Sequence, residues 1–181
     1  MEAILAIDSN CGLSKNGSIA WKSKKDMLFF KTKTSHHVVI MGKNTYFSLP
    51  TQMRPLPNRL NIVLTSTPAK YSDEMMNNVL FINNDKIHCS IIHNRAEYRN
   101  QYPFLDPDFK IFIIGGKNVY EQFFPLCRCV WMTKLKTDYS CDLFLDYDFS
   151  KQFNAPPDIV DETEELVIYK YNNKNMANVI E

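Results

Sequence analysis

Short runs of apolar residues alternate along this chain with polar stretches and with segments of helical periodicity. Each apolar run has the length of a single buried strand. Buried strands that alternate with helices are typical of α/β folds, so we predict a central, mostly parallel sheet flanked by helices, with an antiparallel edge strand late in the chain. The predicted strands cover residues 3–7, 38–41, 61–65, 79–82, 110–114, 129–134 and 166–171, and the predicted helices cover residues 25–33, 43–47, 87–102 and 119–124.

The composition is that of one ordinary globular domain. Of the 181 residues, 45% are hydrophobic and 23% are charged, and no apolar run approaches the roughly 20 residues of a membrane span. The first residues do not resemble a signal peptide, so we expect a cytoplasmic protein without membrane contact. We expect residues 1–172 to form the domain and residues 173–181 a polar tail. The five cysteines are irregularly spaced, so neither a disulfide framework nor a metal site is predicted.

Charge is distributed unevenly along the chain. Residues 1–60 contain nine Lys or Arg and three Asp or Glu, although the whole chain has a formal net charge of only +1. Such a basic third suits an anionic ligand, but on charge alone a solvated surface is the simpler interpretation. The pI of about 7.6 is low for a nucleic-acid-binding protein, and no reading motif accompanies the lysines, so we predict no nucleic-acid partner.

Glycine is scarce, and its positions are informative. The chain has five glycines, at 12, 17, 42, 115 and 116, whereas an average protein contains about 7% glycine. Gly42 and Gly115-Gly116 follow predicted strands and precede predicted helices, where backbone N–H groups can approach a phosphate without obstruction. Ligands of open α/β sheets bind outside the carboxyl ends of the strands, so these turns mark the expected binding edge.

The residues around these glycines resemble the motifs of the dihydrofolate reductase family. Several motifs in the family's order and spacing are far more specific than any single pattern. The resemblance covers about residues 3–171 and implies a single-domain reductase that converts 7,8-dihydrofolate to tetrahydrofolate with NADPH and binds antifolate-type inhibitors. The segments that carry it are GLSKNGSIAW at 12–21, WKSKKD at 21–26 with FFK at 29–31, VIMGKNTYFS at 39–48, RPLPNRLN at 54–61, IIGGKNVY at 113–120, and Thr133 with Asp142 downstream.

The resemblance implies three catalytic residues, Asp26, Trp21 and Thr133. A carboxylate can accept hydrogen bonds from the 2-amino group and N3–H of a pterin, so Asp26 would orient and polarise the ring while solvent protonates N5. Partial burial is expected to raise the pKa of Asp26. Trp21 would order a water where nicotinamide and pterin meet, and Thr133 would hydrogen-bond the carboxylate. On the residues alone, Asp26 could be an ordinary helix-start charge, Trp21 a core residue and Thr133 a strand threonine.

The remaining substrate residues follow from the same resemblance. Arg59 would bind the α-carboxylate of the glutamate tail through its forked guanidinium, although a lone loop arginine is usually solvated. Aliphatic and aromatic side chains would enclose the pterin and aminobenzoyl rings, and these are Ile4, Ala6, Met27, Phe30, Leu49, Pro50, Leu56 and Ile114.

Two turns and a loop are implied to hold NADPH. The turn at Gly115-Gly116, whose peptide is cis in the family, would seat the pyrophosphate, and the turn at Gly42 would place Lys43 at the 2′-phosphate. A second cis peptide is implied at Arg54-Pro55. The loop at 10–20 would close over nicotinamide and exclude water. The implied cofactor residues are Ala6, Leu13, Asn16, Gly17, Ser18, Ile19, Gly42, Lys43, Asn44, Thr45, Leu64, Thr65, Ser66, Gly115, Gly116, Lys117, Asn118, Val119 and Tyr120.

The sequence departs from the family pattern in the loop and at the 2′-phosphate. Ser14 stands where glycine is usual, and Ala20 stands where proline usually precedes the tryptophan. Ser66 and Asn84 occupy places where vertebrate-type members tend to carry arginine. We therefore expect NADPH to be preferred over NADH by a reduced margin.

Two other functions agree with parts of the pattern. One is a reductase of the same fold that acts on a pyrimidine intermediate of riboflavin synthesis, and the other is a non-catalytic homologue that binds folate or a partner. Arg59, with Asp26 and Thr133, favours folate over the pyrimidine. The intact carboxylate, Trp21 and both phosphate turns argue against a loss of activity, and we expect a monomeric enzyme.

Overall fold

The computed structural model describes residues 1–74, 76, 78–83 and 86–176. The helices are α1 (Lys24–Thr34), α2 (Lys43–Ser48), α3 (Ile87–His93), α4 (Arg95–Gln101) and α5 (Lys117–Phe123). The strands are β1 (Glu2–Ile7), β2 (Gly12–Ser14), β3 (Val38–Gly42), β4 (Leu60–Leu64), β5 (Val79–Ile82), β6 (Ile111–Ile113), β7 (Cys129–Leu135), β8 (Leu143–Phe144), β9 (Asp158–Glu162) and β10 (Leu166–Asn172). Across these described ranges, no helix combines the length and hydropathy that a bilayer crossing requires.

Eight of the strands form one central sheet in the order β5-β4-β3-β6-β1-β7-β10-β9, and β2 pairs with β8 beside it. In this order, every neighbouring pair from β5 through β4, β3, β6 and β1 to β7 is parallel. β10 and β9 complete the sheet as antiparallel strands. The predicted α/β fold, with its mostly parallel sheet and antiparallel C-terminal edge, is thereby confirmed.

Several elements differ from the prediction, and the short pair β2 and β8 lies where no strand is predicted. The last predicted strand, which is β10, is not the edge of the sheet, because β9 lies outside it. All five residues of β9 are exposed, so its sequence, DIVDE, has no buried face from which a periodic pattern could arise. The single helix predicted over 87–102 is two helices, because the backbone leaves the helical conformation at Asn94, whose side-chain amide donates to the Ser90 carbonyl (3.0 Å).

The strands bury alternate side chains on the two faces of the sheet. α1 covers one face, where Phe29 meets Trp131 edge-on with ring centroids 6.1 Å apart. The sheet covers only part of the apolar side chains of α1, because Met27 and Leu28 are 54% and 66% exposed. Since both faces of the sheet are covered, the ends of the strands remain for a ligand. The opposite faces are represented by Leu5, Ile40, Ile62 and Ile113 in one cluster and by Ile4, Val39, Met41 and Val63 in the other.

Glu2 joins the starts of three strands. Its buried carboxylate accepts hydrogen bonds from Trp131 Nε1 (2.7 Å) and Arg128 Nη2 (3.0 Å) and pairs with Lys110 Nζ (3.1 Å). Burial alone would raise the pKa of Glu2, but these partners outweigh burial and lower the pKa to about 2. The charged carboxylate therefore holds the first residues of β1, β6 and β7 together.

We expect Glu2→Gln to lower the free energy of unfolding at pH 7 by about 3 kcal/mol, because it leaves two cations without their buried partner. Because folding lowers the pKa of Glu2, the ionised carboxylate stabilises the fold fully when the pH is above the ordinary pKa of 4.5. This stability is lost as the pH falls through about 2. Urea unfolding of wild type and variant over this pH range measures both effects. Glu162→Gln, which removes an exposed pair with Lys136 (2.8 Å), should cost less than about 1 kcal/mol. Equal losses in the two variants would contradict the role of Glu2.

Candidate active site

The carboxyl ends of β3 and β6 bring two glycine turns into contact. Gly42 ends β3 and precedes α2, while Gly115 and Gly116 lie between β6 and α5. The N–H of Gly42 donates to the Gly115 carbonyl (2.7 Å), so the two predicted phosphate turns form one continuous surface. The Gly115-Gly116 and Arg54-Pro55 peptides are both cis, which confirms the expectation drawn from the resemblance.

These turns have little room for side chains. A Cβ on Gly42 would lie 3.2 Å from a side-chain carbon of α5, and one on Gly116 would lie 3.1 Å from a hydroxyl oxygen of α2. Gly115 has a φ of +110°, and a Cβ there would lie 2.9 Å from the ring of Tyr120. No side chain caps the first N–H groups of α2 or α5. The surface presents backbone donors without obstruction, which fits the phosphates of a dinucleotide.

Lys43 begins α2 beside this surface. Within the described ranges it forms no ion pair with an acidic side chain. The next strand end supplies the half-buried Leu64 and Thr65 and the exposed Ser66. Asn84, the other position predicted at the same phosphate, lies outside the described residues. Lys43 and the hydroxyls of Thr65 and Ser66 are therefore the polar groups that the structure describes at the predicted 2′-phosphate position.

Tyr120 supports the glycine surface from the core. The tyrosine is buried, its ring stacks on Phe124 with centroids 5.4 Å apart, and its hydroxyl donates to the Ile4 carbonyl (2.9 Å). The Ile4 carbonyl therefore already has one hydrogen-bond partner within the chain. The other predicted residues of this wall occupy the first turns of the two helices, namely Asn44 and Thr45 in α2 and Lys117, Asn118 and Val119 in α5.

Asp26 lies in the first turn of α1, where its N–H donates to Ser23 Oγ (3.3 Å). Burial raises the pKa of Asp26, the approach of the Thr133 hydroxyl and the Trp21 indole N–H lowers it, and nearby Glu165 raises it again. Trp21 Nε1 and Thr133 Oγ1 are buried and have no hydrogen bond of normal geometry within the described chain. The three predicted catalytic residues thus lie together, and their buried polar atoms call for a polar ligand or water.

Arg59 is not a solvated loop arginine. Its side chain is 3% exposed, Nε donates to the Pro57 carbonyl (3.0 Å), and Nη1 donates to Thr34 Oγ1 (3.0 Å) at the end of α1. Burial lowers the pKa of Arg59 to about 10, and none of the described acidic side chains pairs with it. A buried guanidinium without a counter-charge is costly, so an anionic ligand is its expected partner.

Apolar side chains lie along α1 and the facing strands between these two polar ends. Phe30 lies 5.8 Å from the Arg59 guanidinium and packs, with Leu49, against the cluster that contains Ile4, Leu56 and Ile114. Ala6 is half-buried, whereas Pro50, Met27 and Ile19 are exposed. Apolar side chains therefore lie between a carboxyl in the first turn of α1 and a guanidinium at the end of that helix.

The loop at 8–20 is anchored at one end and exposed at the other. The buried Asp8 carboxylate accepts the N–H groups of Gly12 (2.8 Å) and Tyr139 (3.1 Å), and β2 pairs with β8. Further along, the Asn16 N–H donates to Asp142 Oδ2 (2.7 Å). Of the predicted cofactor residues in this loop, Leu13 is half-buried, and Asn16, Gly17, Ser18 and Ile19 are exposed.

Sequence reasoning missed Asp8 and Glu165. Asp8 could have been found, because an acidic residue directly after a buried strand and shortly before a glycine is suited to accepting turn N–H groups. Glu165 lies in an acidic turn between β9 and β10, and nothing in its local sequence indicates that it approaches Asp26.

Comparisons with known proteins give concordant results. Residues 1–175 match the family model described as Dihydrofolate reductase. A dihydrofolate reductase of Ureaplasma parvum serovar 3 is 33% identical over 165 residues, which cover 91% of this chain and 92% of that protein. The Drosophila melanogaster dihydrofolate reductase is 33% identical over 150 residues, covering 78% of this chain and 76% of that protein. The structure of dihydrofolate reductase from Enterococcus faecalis, complexed with NADP(H) and RAB-propyl, has a TM-score of 0.70 at 27% identity and covers 96% of this chain and 95% of that chain.

Proposed function

This chain belongs to the dihydrofolate reductase family and reduces dihydrofolate with NADPH, and we propose that the pocket between Asp26 and Arg59 is where it does so. The observation that carries this proposal is the buried Arg59 guanidinium, which none of the described acidic side chains neutralises. Asp26 and Thr34, the partner of Arg59, are eight positions apart on α1, which is about 12 Å of helix. A ligand with a hydrogen-bond donor ring at one end, a carboxylate at the other and an aromatic spacer fits these positions.

Asp26 orients the pterin ring of the substrate. Its carboxylate accepts hydrogen bonds from the 2-amino group and N3–H, and its partly desolvated position strengthens both bonds. Thr133 and Trp21 contribute a hydroxyl and an N–H beside the same carboxyl. Solvent delivers the proton to N5, because Asp26 binds the opposite side of the ring. The exposed part of the 10–20 loop excludes further water when it covers the pocket.

NADPH, when bound, supplies the hydride that C6 of dihydrofolate accepts. The glycine surface at 42 and 115–116 holds the phosphates through backbone N–H groups, and Lys43 contacts the 2′-phosphate. Ala6 and Ile114 leave space for the nicotinamide and pterin rings to stack. The glycine turns without side chains and the uncapped helix starts described above support the assignment of the phosphates.

The first test of this function is the decrease in NADPH absorbance with and without dihydrofolate. We expect oxidation of NADPH only when dihydrofolate is present, and no turnover of a ribosylated pyrimidine in its place. Turnover of the pyrimidine without turnover of dihydrofolate would replace the proposal by a different reductase.

Arg59→Ala is expected to raise the KM for dihydrofolate by about 10- to 100-fold, because charge-assisted hydrogen bonds to the tail carboxylate are lost. The KM for a dihydropterin without the glutamate should remain unchanged. Steady-state kinetics with both substrates measure the difference, and Arg99→Ala, on α4, is the control. An equal increase for both substrates would remove Arg59 from the tail site.

Lys43→Ala is expected to remove most of the preference for NADPH over NADH. One charge-assisted contact to the 2′-phosphate contributes about 1.5–3 kcal/mol, so the ratio of kcat/KM for the two cofactors should fall by about 10-fold or more. The measurement uses both cofactors at fixed ionic strength, and Lys151→Ala, at an exposed lysine between β8 and β9, is the control. If the full preference survives in Lys43→Ala, another residue binds the phosphate.

Several broader properties belong to the same proposal. We propose that residues 1–172 act as a single catalytic domain followed by a polar tail, of which residues 177–181 lie outside the described ranges. Within the described part of that tail, Asn173 is buried and donates to the Cys127 carbonyl (2.9 Å). We propose that the enzyme is monomeric and cytoplasmic and that it supplies one-carbon and thymidylate metabolism. It binds antifolates and contacts neither nucleic acid nor membrane.

A further inference from the structure

Asn61 is the second residue of β4, and its side chain is fully buried. Its Oδ1 accepts the Leu56 N–H (3.0 Å). Its Nδ2 lies within hydrogen-bonding distance of the carbonyls of Leu56 (2.9 Å), Arg59 (2.9 Å) and Asn78 (3.1 Å). One carboxamide therefore binds backbone groups at both ends of the segment 56–59, which carries Arg59.

Besides Asn61, the His36 N–H supports the segment 56–59, because it donates to the Asn58 carbonyl (2.7 Å). The segment lies outside regular secondary structure, and Asn58 adopts a positive φ of 55°. Asn78 adds two longer hydrogen bonds from its own Nδ2 to the carbonyls of Leu56 and Arg59, each 3.3 Å. The Arg59 side chain in turn uses the Pro57 carbonyl of the same segment (3.0 Å). A displacement of the segment therefore moves both the backbone of Arg59 and one partner of its guanidinium.

We propose that Asn61 is a positioning residue for the substrate's carboxylate tail and that it acts through Arg59. This inference rests on the proposed role of Arg59 in the pocket. Forked recognition of a carboxylate requires the guanidinium to be held in orientation as well as in place, so a support that fixes the segment determines how tightly the tail binds. Asn61 itself is buried beneath the segment and has no exposed surface for substrate.

The experiment compares Asn61→Ala with wild type on dihydrofolate and on a dihydropterin that lacks the glutamate. We expect the KM for dihydrofolate to rise by about 10-fold, kcat to stay within about twofold, and the KM for the shorter substrate to stay unchanged, because misplacing a positioning group weakens only the contacts it orients. Asn78→Ala, which removes only the two longer bonds, should change the same KM in the same direction by less. If Asn61→Ala does not fold, the KM values of Asn78→Ala for the two substrates test the proposal instead.

Asn173→Ala is the matched control, because Asn173 is a second buried asparagine whose side chain hydrogen-bonds backbone groups far from the pocket. It should lower the unfolding temperature without changing the ratio of the two KM values. Combining Asn61→Ala with Arg59→Ala should raise the KM for dihydrofolate no further than Arg59→Ala alone, since both changes act on one contact.

The outcomes separate this inference from the function on which it rests. If Arg59→Ala discriminates between the two substrates and neither Asn61→Ala nor Asn78→Ala does, the positioning role is overturned and the proposed function stands. The same role is overturned if the Asn61 and Arg59 effects are additive. If Arg59→Ala itself fails to discriminate, the tail site is wrong and the inference fails with it.

Discussion

Asp26→Asn is expected to lower kcat for dihydrofolate at pH 7 by about 10²- to 10⁴-fold, the range typical of losing a positioned acid–base group. An asparagine keeps the size of the side chain, but it is neutral and offers one acceptor oxygen where the pterin presents two donors. Steady-state and single-turnover kinetics with NADPH measure the effect. Activity close to that of wild type would contradict the proposed role of Asp26 in orienting the pterin ring.

The same variant is expected to unfold at a higher temperature than wild type at pH 7. The pKa of Asp26 is raised in the fold, chiefly by burial, so ionisation of this carboxyl opposes folding once the pH exceeds its ordinary value of 3.8. Asparagine does not ionise, and its advantage should therefore vanish below that pH. Asp161→Asn is the matched control, because Asp161 is exposed and pairs with Lys25 (2.6 Å). It should keep activity and gain no stability, and a similar gain there would contradict the burial argument.

Gly115→Ala is expected to lose NADPH binding and to lower the free energy of unfolding by about 2–5 kcal/mol. A φ of +110° is unfavourable for alanine, and the new Cβ would lie 2.9 Å from the Tyr120 ring. The Tyr120 side chain cannot move away from the new Cβ, because its ring stacks on Phe124 and its hydroxyl donates to the Ile4 carbonyl. NADPH titration and urea unfolding measure the two losses.

Two other glycines separate the causes of this loss. Gly17 also has a positive φ, of 75°, but a Cβ there meets nothing within 4 Å, so Gly17→Ala should show only the cost of the backbone conformation. Gly116 has a φ of −76°, and its Cβ would meet only Thr45 Oγ1 at 3.1 Å. Both variants should be more stable than Gly115→Ala. The argument fails if Gly17→Ala is as unstable as Gly115→Ala.

Features that depend on local sequence could be predicted. The buried parallel strands produce uninterrupted apolar runs, and the glycine turns at 42 and 115–116 stand out because glycine is otherwise rare in this chain. Asp26 could be assigned to a helix start from local sequence as well, because polar residues precede it and aromatic residues follow it. These signals lie within a few residues of the feature they predict.

Features that depend on distant residues could not be predicted. β9 has no buried face, so no pattern marks it, and the break at Asn94 interrupts an otherwise helical stretch. The exposure of Met27 and Leu28 shows that an apolar stripe on α1 does not specify how much of it the sheet covers. The burial of Arg59 depends on Thr34, which lies 25 positions earlier in the chain.

The exposed edge formed by β9 has a consequence for how the protein behaves at high concentration. An outer strand with free N–H and C=O groups is a template on which another chain can extend the sheet. The five residues of β9 include three acids, Asp158, Asp161 and Glu162, beside the exposed Ile159 and Val160. Asp161 and Glu162 pair with Lys25 and Lys136, so two copies joined along this edge would bring these charged groups together and remove water from them. We therefore expect this edge to be a poor template for a second copy, although its apolar pair is exposed.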